Sequence, residues 1–540
     1  MSKAQLGFLP GNRTSDAHVI LYNLIDYYCK TKGTYLFGCF VDFSKAFDSL
    51  PRNTLFNKLL DYNINGKFYD CLANMYMGDQ CCIKVGNRIT DIFTANQGVK
   101  QGCILSPLLF NIFLSDLQQK LEESQNNPAK ISTDQTLGCL IWADDLLLLS
   151  QTEIGLNNML KTLNNFSQQN GLTINMDKTK VMIFNKTGRH IRRNFFLGNE
   201  KVNTTREYKY LGFKITPSGE INSGICDLKD RALKGFFKLK KKMGPFFTKH
   251  PLVTMKLFQT LIKPILLYSS DFWGVLKMPK NNPLENLHMK FCKQLLGVQR
   301  QTTNIGVLLE LGQIPLQIYA IKSAIKNWTR IAGQETCNDL LIKSYRFSLS
   351  KNLNWPSQVR QTLSKIGMME SFIIKDNSTP LKLFQRLSDI FHQNAFSEIS
   401  KDSSKLRTYN LIKTKIGMED YLKNNFGNKH RISLTKLRLS NHTLMIEKGR
   451  HLKLDRNLRY CPFCSNEVED EIHFMITCKN YTADRYELFD QMNRIHPTFI
   501  HIKEDDKFKM LLTNINILDK TAQYISKSFE KRDISIEQRI

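Results

Sequence analysis

Over the first 215 residues, short apolar runs alternate with amphipathic stretches and glycine-punctuated loops. The run YLFGCFVDF, residues 35–43, is apolar almost throughout and bounded by turn signals, which predicts a buried strand. In SLPRNTLFNKLLDYNI, Pro51 stands early and Leu55, Leu59 and Leu60 fall at helical spacing. In QGVKQGCILSPLLFNIFLSDL a loop ends at Ser106, predicted to cap a helix that has Pro107 first and Leu108, Leu109, Ile112 and Phe113 on its apolar face. LGCLIWA and LLLLS, parted only by Asp144 and Asp145, predict a tight hairpin. Leu156, Met159, Leu160, Leu163 and Phe166 predict an amphipathic helix closed by Gly171. LTIN, KVMIF and YKYLGFKI read as further strands, so this part of the chain is α+β.

Beyond Thr216 the pattern turns to long helical stretches with few strand signals, beginning with a lysine-rich aromatic segment. Residues 336–428 are polar, weakly patterned and read as helical with loops, and a small basic unit follows from Lys429. The divisions expected are therefore 1–215, 216–335, 336–428 and 429–540.

Charge narrows the function. Against 49 acidic residues stand 76 lysines and arginines, a formal charge of +27, which points to a polyanionic partner. No apolar run reaches the ~18–20 residues needed to span a bilayer, and the N-terminal segment lacks the pattern of a secretory signal. The 13 cysteines are mostly scattered singly in apolar settings, which suits buried thiols in a reducing compartment, not a disulfide framework.

The Asp144–Asp145 pair raises a chemical question. Neighbours on a strand point to opposite faces, so two adjacent aspartates address one site only where the backbone turns. Converging carboxylates need neutralising, and hard divalent cations with oxygen ligands do that. Asp42, closing the first apolar strand, is the candidate third ligand. Each alone reads equally as a solvated turn or strand-ending aspartate; their combination in a basic chain favours metal-dependent phosphate chemistry.

VDFSKAFDSL, NQGVKQGCILSPLLFNIFLSDL, IWADDLLLLS, GLTINMDKTKVMIF and YKYLGFKIT, in this order, resemble the palm motifs of reverse transcriptases, specifically those of non-LTR (LINE-like) retrotransposons. The resemblance implies a right-hand polymerase architecture: partial fingers and palm with an antiparallel sheet at 1–215, a helical thumb and connection at 216–335, and a helical C-terminal region. It implies that Asp42 and Asp144 hold two Mg²⁺ ions, with Asp145 completing the cluster, for nucleotidyl transfer from a 3′-hydroxyl DNA primer on an RNA template. Phe47 matches the steric gate that favours deoxynucleoside triphosphates. Gln101 and Gly102 match the loop against the incoming nucleotide and template, Leu211 and Gly212 the primer grip, and Lys178 the lysine that protonates pyrophosphate. Phe47 also reads as a core ring and Lys178 as an exposed lysine after a turn; for Asp48, helix capping is role enough.

QLGFLPGNRTSDA, near the start, resembles a fingers motif that has further strands before it in the family. The expectation is thus an N-terminally truncated copy, with incomplete fingers and no endonuclease. Activity in the nucleus and cytoplasm, without membrane partners, is what the family implies. The competing expectation is an inactive relic or domesticated nucleic-acid-binding protein.

Near the C-terminus, Cys461, Cys464, His473 and Cys478 form a C-x2-C-x8-H-x4-C spacing suited to one structural, tetrahedral Zn²⁺. It resembles the C-terminal CCHC unit of non-LTR elements. Lys429, His430, Arg431, Lys436, Arg438, Lys448 and Arg450 precede it, a basic stretch suited to RNA or DNA phosphates or simply to solvent. Lys238, Lys240, Lys241 and Lys242 offer the helical region a similar choice: template–primer backbone, nuclear import signal or solvent.

Overall fold

The computed structural model describes residues 4–30, 33–132, 134–333, 337–401, 403–424 and 426–538. The chain forms two compact units. The first comprises Met1–Asp227, Ser269–Pro279 and Ala320–Leu383; the second comprises Leu228–Tyr268, Lys280–Tyr319 and Phe384–Ile540.

In the first unit, β1 (Leu36–Val41), β2 (Cys139–Trp142), β3 (Asp145–Ser150) and β4 (Lys180–Phe184) form an antiparallel sheet in the order β4-β1-β3-β2. Every residue of β1 is buried, because helices α1 (Thr14–Lys30) and, farther along the chain, α4 (Glu153–Gln169) pack against it. This accounts for a run that is apolar at every position instead of alternating. Gly38 lets the sheet close: a Cβ there would stand 2.9 Å from the Phe184 ring.

The helices follow the hydrophobic spacing with local differences. In α2 (Arg52–Asp61), Leu55 and Leu59 are buried but Leu60 faces solvent. In α3 (Ser106–Phe113), Leu109, Phe110, Ile112 and Phe113 are buried and Leu108 is exposed. Ser106 is the first helical residue, not the cap: its hydroxyl donates to the Lys100 carbonyl at 2.6 Å, tying the preceding loop to the helix. Thr152 does cap α4, accepting from the Gly155 amide at 3.0 Å.

Two predicted strands resolve differently. LTIN makes one isolated bridge, Ile174 to Phe43, because the chain turns at once after Asn175. YKYLGFKI is a hairpin: β7 (Tyr208–Tyr210) and β8 (Phe213–Ile215) join through Leu211 and Gly212, whose φ values are 43° and 78°. Two positive φ values suit a primed hairpin turn, and the run of apolar letters hid it. A neighbouring hairpin pairs β5 (Phe195–Leu197) with β6 (Glu200–Val202).

The second unit is helical among its described residues, as expected beyond Thr216. It closes around a buried ionic centre. Glu310 receives Arg438 Nε at 2.7 Å, the Tyr409 hydroxyl at 2.7 Å and the Tyr421 hydroxyl at 2.6 Å. Burial opposes ionisation of Glu310, but the charge and hydrogen bonds of Arg438 outweigh it and hold the carboxyl below its ordinary value. Arg438 also reaches the Leu512 carbonyl at 2.9 Å, so one guanidinium joins segments distant in sequence. Removing it strands a buried carboxylate, a change that typically costs ~3–5 kcal/mol.

Candidate active site and metal centre

The β2–β3 hairpin turns through Ala143 and Asp144, with Trp142 paired to Asp145 and Ala143 at φ 57°. A left-handed alanine is strained, and the N-terminal segment holds it in place. Leu6 donates to the Ile141 carbonyl at 2.8 Å and Ile141 to the Ala4 carbonyl at 3.0 Å. Gly7 lies so close beneath the turn that a Cβ would meet the Ala143 nitrogen at 2.4 Å.

On the neighbouring strand Val41 pairs with Leu146, so the next residue, Asp42, stands across from Asp145. The chain after α4 fixes Asp42 from its other side. The Asn175 amide donates to the Asp42 carbonyl at 2.8 Å, and Asp42 N–H to Thr179 Oγ1 at 3.4 Å. Lys178, in the same turn, sets Nζ 3.2 Å and 3.4 Å from the two oxygens of the Asp42 carboxylate.

The three carboxylates sense one another. Burial first, then the Asp144 and Asp42 charges, push the Asp145 carboxyl up to about 6. Asp144 is raised by burial and by Asp42, and Lys178 partly offsets both shifts. Three acids therefore face one ammonium. Oxygen donors with unbalanced negative charge, half-buried at a rigid turn, fit hard divalent cations.

Around this cluster the structure places the other expected residues. Phe47, in the single turn Ala46–Ser49, is half-buried and stacks on Phe110 at a centroid distance of 4.7 Å. The 97–102 loop runs beside it: Val99 donates to the Phe47 carbonyl and Gly98 to that of Leu50, both at 2.8 Å. Gly98 has φ 82° and would drive a Cβ to 2.5 Å from the Asp48 oxygen. Gln101 is exposed and donates from Nε2 to Asp48 Oδ1 at 2.7 Å, giving Asp48 a positioning contact that its sequence context did not reveal. Gly102, at φ 85°, carries the loop towards α3. Leu211 and Gly212 sit at the tip of the β7–β8 hairpin, whose Tyr208 ring stacks on Phe40 at 4.2 Å.

Arg52 escaped the sequence reading. It donates to the carbonyls of Gly98 at 2.9 Å, Tyr76 at 2.7 Å and Ala95 at 2.6 Å, and to Asp79 at 3.1 Å. One arginine at the start of α2 thus fastens both ends of the 76–98 segment beside the site. An arginine on a helix carries no local sign of such a role.

In the second unit, the ligand atoms of Cys461, Cys464, His473 and Cys478 all lie within 4.8 Å of one another. Cys478 Sγ is 3.9 Å from Cys461 Sγ and 3.7 Å from Cys464 Sγ. Sulfurs at the usual ~2.3 Å from a tetrahedral zinc stand about 3.8 Å apart. His473 Nε2 is buried without a hydrogen-bond partner, while Nδ1 faces Glu467 at 2.7 Å and Thr477 at 3.0 Å. A hydrogen bond from Cys478 pushes the Cys461 thiol down to about 4, and Cys478 is pushed up. The donor set and spacing fit zinc. Arg431 and Arg438, expected on a basic surface, are buried: Arg431 reaches the Thr248 carbonyl at 3.0 Å and Arg438 completes the ionic centre.

Residues 1–215 match the family model described as reverse transcriptase (RNA-dependent DNA polymerase). The chain is 30% identical over 228 residues to the Retrovirus-related Pol polyprotein from type-2 retrotransposable element R2DM of Drosophila melanogaster, covering 40% of this chain and 21% of that protein. It is 28% identical over 242 residues to the corresponding polyprotein of a type-1 retrotransposable element R2 from Popillia japonica, covering 44% and 38%. These alignments span well under half the length of either relative. A solved telomerase from Candida albicans, in complex with a fragment of telomeric RNA, aligns at 15% identity and a TM-score of 0.31, over 55% of this chain and 54% of that one. Over residues 1–215 the chain is therefore similar to members of the reverse transcriptase family. Among these, it is related to the polymerases of non-LTR retrotransposons.

Proposed function

We propose that this chain is an RNA-directed DNA polymerase that copies an RNA template from a DNA 3′-hydroxyl. The observation that carries this is the placement of Asp42 across from Asp145 at a braced hairpin tip, within a reverse transcriptase domain. Asp42, Asp144 and Asp145 would hold two Mg²⁺ ions. Bound there, such ions lower the pKa of the primer hydroxyl and neutralise charge on the transferred phosphoryl and departing pyrophosphate. The protein's own part is positioning. The Gly7 contact fixes the hairpin, and the Asn175 and Thr179 hydrogen bonds fix Asp42. Lys178, 3.2 Å from the Asp42 carboxylate, hands a proton to pyrophosphate oxygen once Asp42 no longer holds its ammonium.

Phe47, braced by Phe110, excludes a 2′-hydroxyl and so selects deoxynucleoside triphosphates. Gln101 and Gly102 face the nucleotide and template, and Leu211 and Gly212 hold the primer end. Residues 1–215 serve as fingers and palm, 216–335 as thumb and connection, 336–428 as a helical linker, and 429–540 as a basic unit stapled by one structural Zn²⁺. The thirteen cysteines, all unpaired, support work in the nucleus and cytoplasm. No helix among the described residues is long and apolar enough to cross a membrane.

The test is primer extension by the purified chain, with RNA template, DNA primer, Mg²⁺ and deoxynucleotides. Extension abolished by Asp144→Ala with Asp145→Ala supports the reading. Template–primer binding without extension would overturn it in favour of a binding protein.

A further inference from the structure

Beside the β4 edge of the palm sheet, where Thr204 bridges Val181, lies a solvent-open cavity of about 490 Å³ that Glu153 at the start of α4 also lines. Its lining includes His190, Arg192, Arg193 and Lys201, together with Asn194 and Asn203. Glu153 is the acid in the lining, 3.6 Å from Arg193. The segment that builds the cavity, residues 186–206, carries Lys186, Arg189, Arg192, Arg193, Lys201 and Arg206 against Glu200.

A second observation separates this cavity from an ordinary basic surface. Phe196 is 48% exposed on β5 and pairs directly with Lys201 on β6. Directly paired residues of an antiparallel ladder project to one face, so an uncovered aromatic ring stands beside a cation of the cavity. Its flanking residues, Phe195 and Leu197, are buried, which fixes the strand's outward face. Cations that meet phosphates, a ring that stacks a base and amides for base edges are the components of a single-strand nucleic-acid site. Duplex offers phosphates but no free base face, so Phe196 favours the unpaired form.

We propose that Phe196, Lys201, Arg192 and Arg193 form a second nucleic-acid site, separate from the carboxylate cluster, which holds a single-stranded segment of polynucleotide. The site would tether a template or target strand while the palm works elsewhere on it. RNA and DNA share this chemistry, and the two sources are separated by measurement.

The experiment is fluorescence anisotropy of the full chain with single-stranded RNA, single-stranded DNA and duplex oligonucleotides, across a salt series. Phe196→Ala should weaken single-strand binding about fivefold or more and leave duplex binding unchanged. Arg192→Gln with Arg193→Gln and Lys201→Gln should lower the single-strand salt slope by about two, at ~0.7 per phosphate contact. The charge-matched control Lys351→Gln, Arg360→Gln, Lys365→Gln should leave that slope in place. Competition with heparin, which cannot stack, should be insensitive to Phe196→Ala. Unchanged single-strand affinity in both variants, an equal effect of the control, or equal losses on heparin would each overturn the proposal. An unchanged melting temperature excludes misfolding, and the conservative Phe196→Tyr should restore binding. Because binding is read without turnover, a chain that binds as described yet never polymerises would refute the proposed activity alone.

Discussion

The raised carboxyl of Asp145 makes metal binding depend on pH in a calculable way. A cation that needs the ionised form competes with the proton, so its dissociation constant is multiplied by one plus the protonated-to-ionised ratio. With Asp145 titrating at about 6, that factor is roughly four near pH 5.5 and close to one near pH 7.5. The half-saturating Mg²⁺ or Mn²⁺ concentration should therefore rise about fourfold between those conditions, with its bend near pH 6. Mn²⁺ binding by water-proton relaxation reads this directly, without turnover. Asp145→Asn should weaken binding and abolish the bend. Lys178→Ala removes the ammonium 3.2 Å from Asp42 that now offsets the acid cluster. It should move the bend to higher pH and tighten metal binding on the alkaline side. A half-saturating concentration indifferent to pH, or a bend near 4 as for an ordinary aspartate, would falsify the account of a crowded, half-buried cluster.

The same shift sets the sign of a stability effect in the metal-free chain. The native carboxyl holds its proton more tightly than the ordinary value of 3.8. Its contribution is fully present below that value and is lost as pH rises through about 6. Discounted for solvent screening, the loss is about 1–2 kcal/mol. Saturating Mg²⁺ should erase it, because a bound cation favours the ionised form.

Three other outcomes are expected. Elemental analysis of the purified chain should give about one zinc, and Cys464→Ala or His473→Ala should lower it well below half, since a tetrahedral structural site needs all four ligands. Phe47→Val should relax discrimination against ribonucleoside triphosphates by at least about tenfold in kcat/KM, with deoxynucleotide use affected less. Arg52→Met takes the Arg52 donor from three backbone carbonyls and leaves Asp79 to Lys100 alone, at 3.0 Å; a cost of about 2–4 kcal/mol should appear as faster limited proteolysis within 76–98, and equal proteolysis rates would deny Arg52 its fastening role.

Much of the fold was legible because periodicity reports burial. The apolar run of β1, the β2–β3 hairpin and the spacing of α4 all carry enough apolar letters to fix their element type. The acid cluster was legible for a different reason: a solvated turn explains the adjacent aspartates alone, but not their combination with an aspartate closing another apolar strand in a basic chain. Hidden features depend on backbone conformation or on distant partners. The turn at Leu211 and Gly212 is invisible in an apolar string, since a leucine at φ 43° breaks local preference. Arg431 and Arg438 read as surface charge, because the groups that let them be buried include Thr248, Glu310 and Leu512, far away in sequence. Asp48 and Arg52 likewise acquire their roles from a loop that begins some 45 residues later.

These contacts bear on one quantity, the register of β3 against β1. Side chains alternate along a strand, so a slip of one residue would turn Asp145 away from Asp42. The leucine run alone cannot prevent this, since all of Leu146–Leu149 are apolar and would tolerate either face. Register must come from features that do not repeat. The left-handed turn at Ala143 is one, and the tight fit of Gly7 beneath it is another. Gly38 is the third: it faces the side chain of Leu147, with its Cβ position 3.5 Å from Leu147 Cδ1, and admits the Phe184 ring from β4 at 2.9 Å. A glycine at a different step of β1 would leave that ring without room. The metal-binding geometry therefore rests on two glycines and one strained alanine, none of which carries a charge.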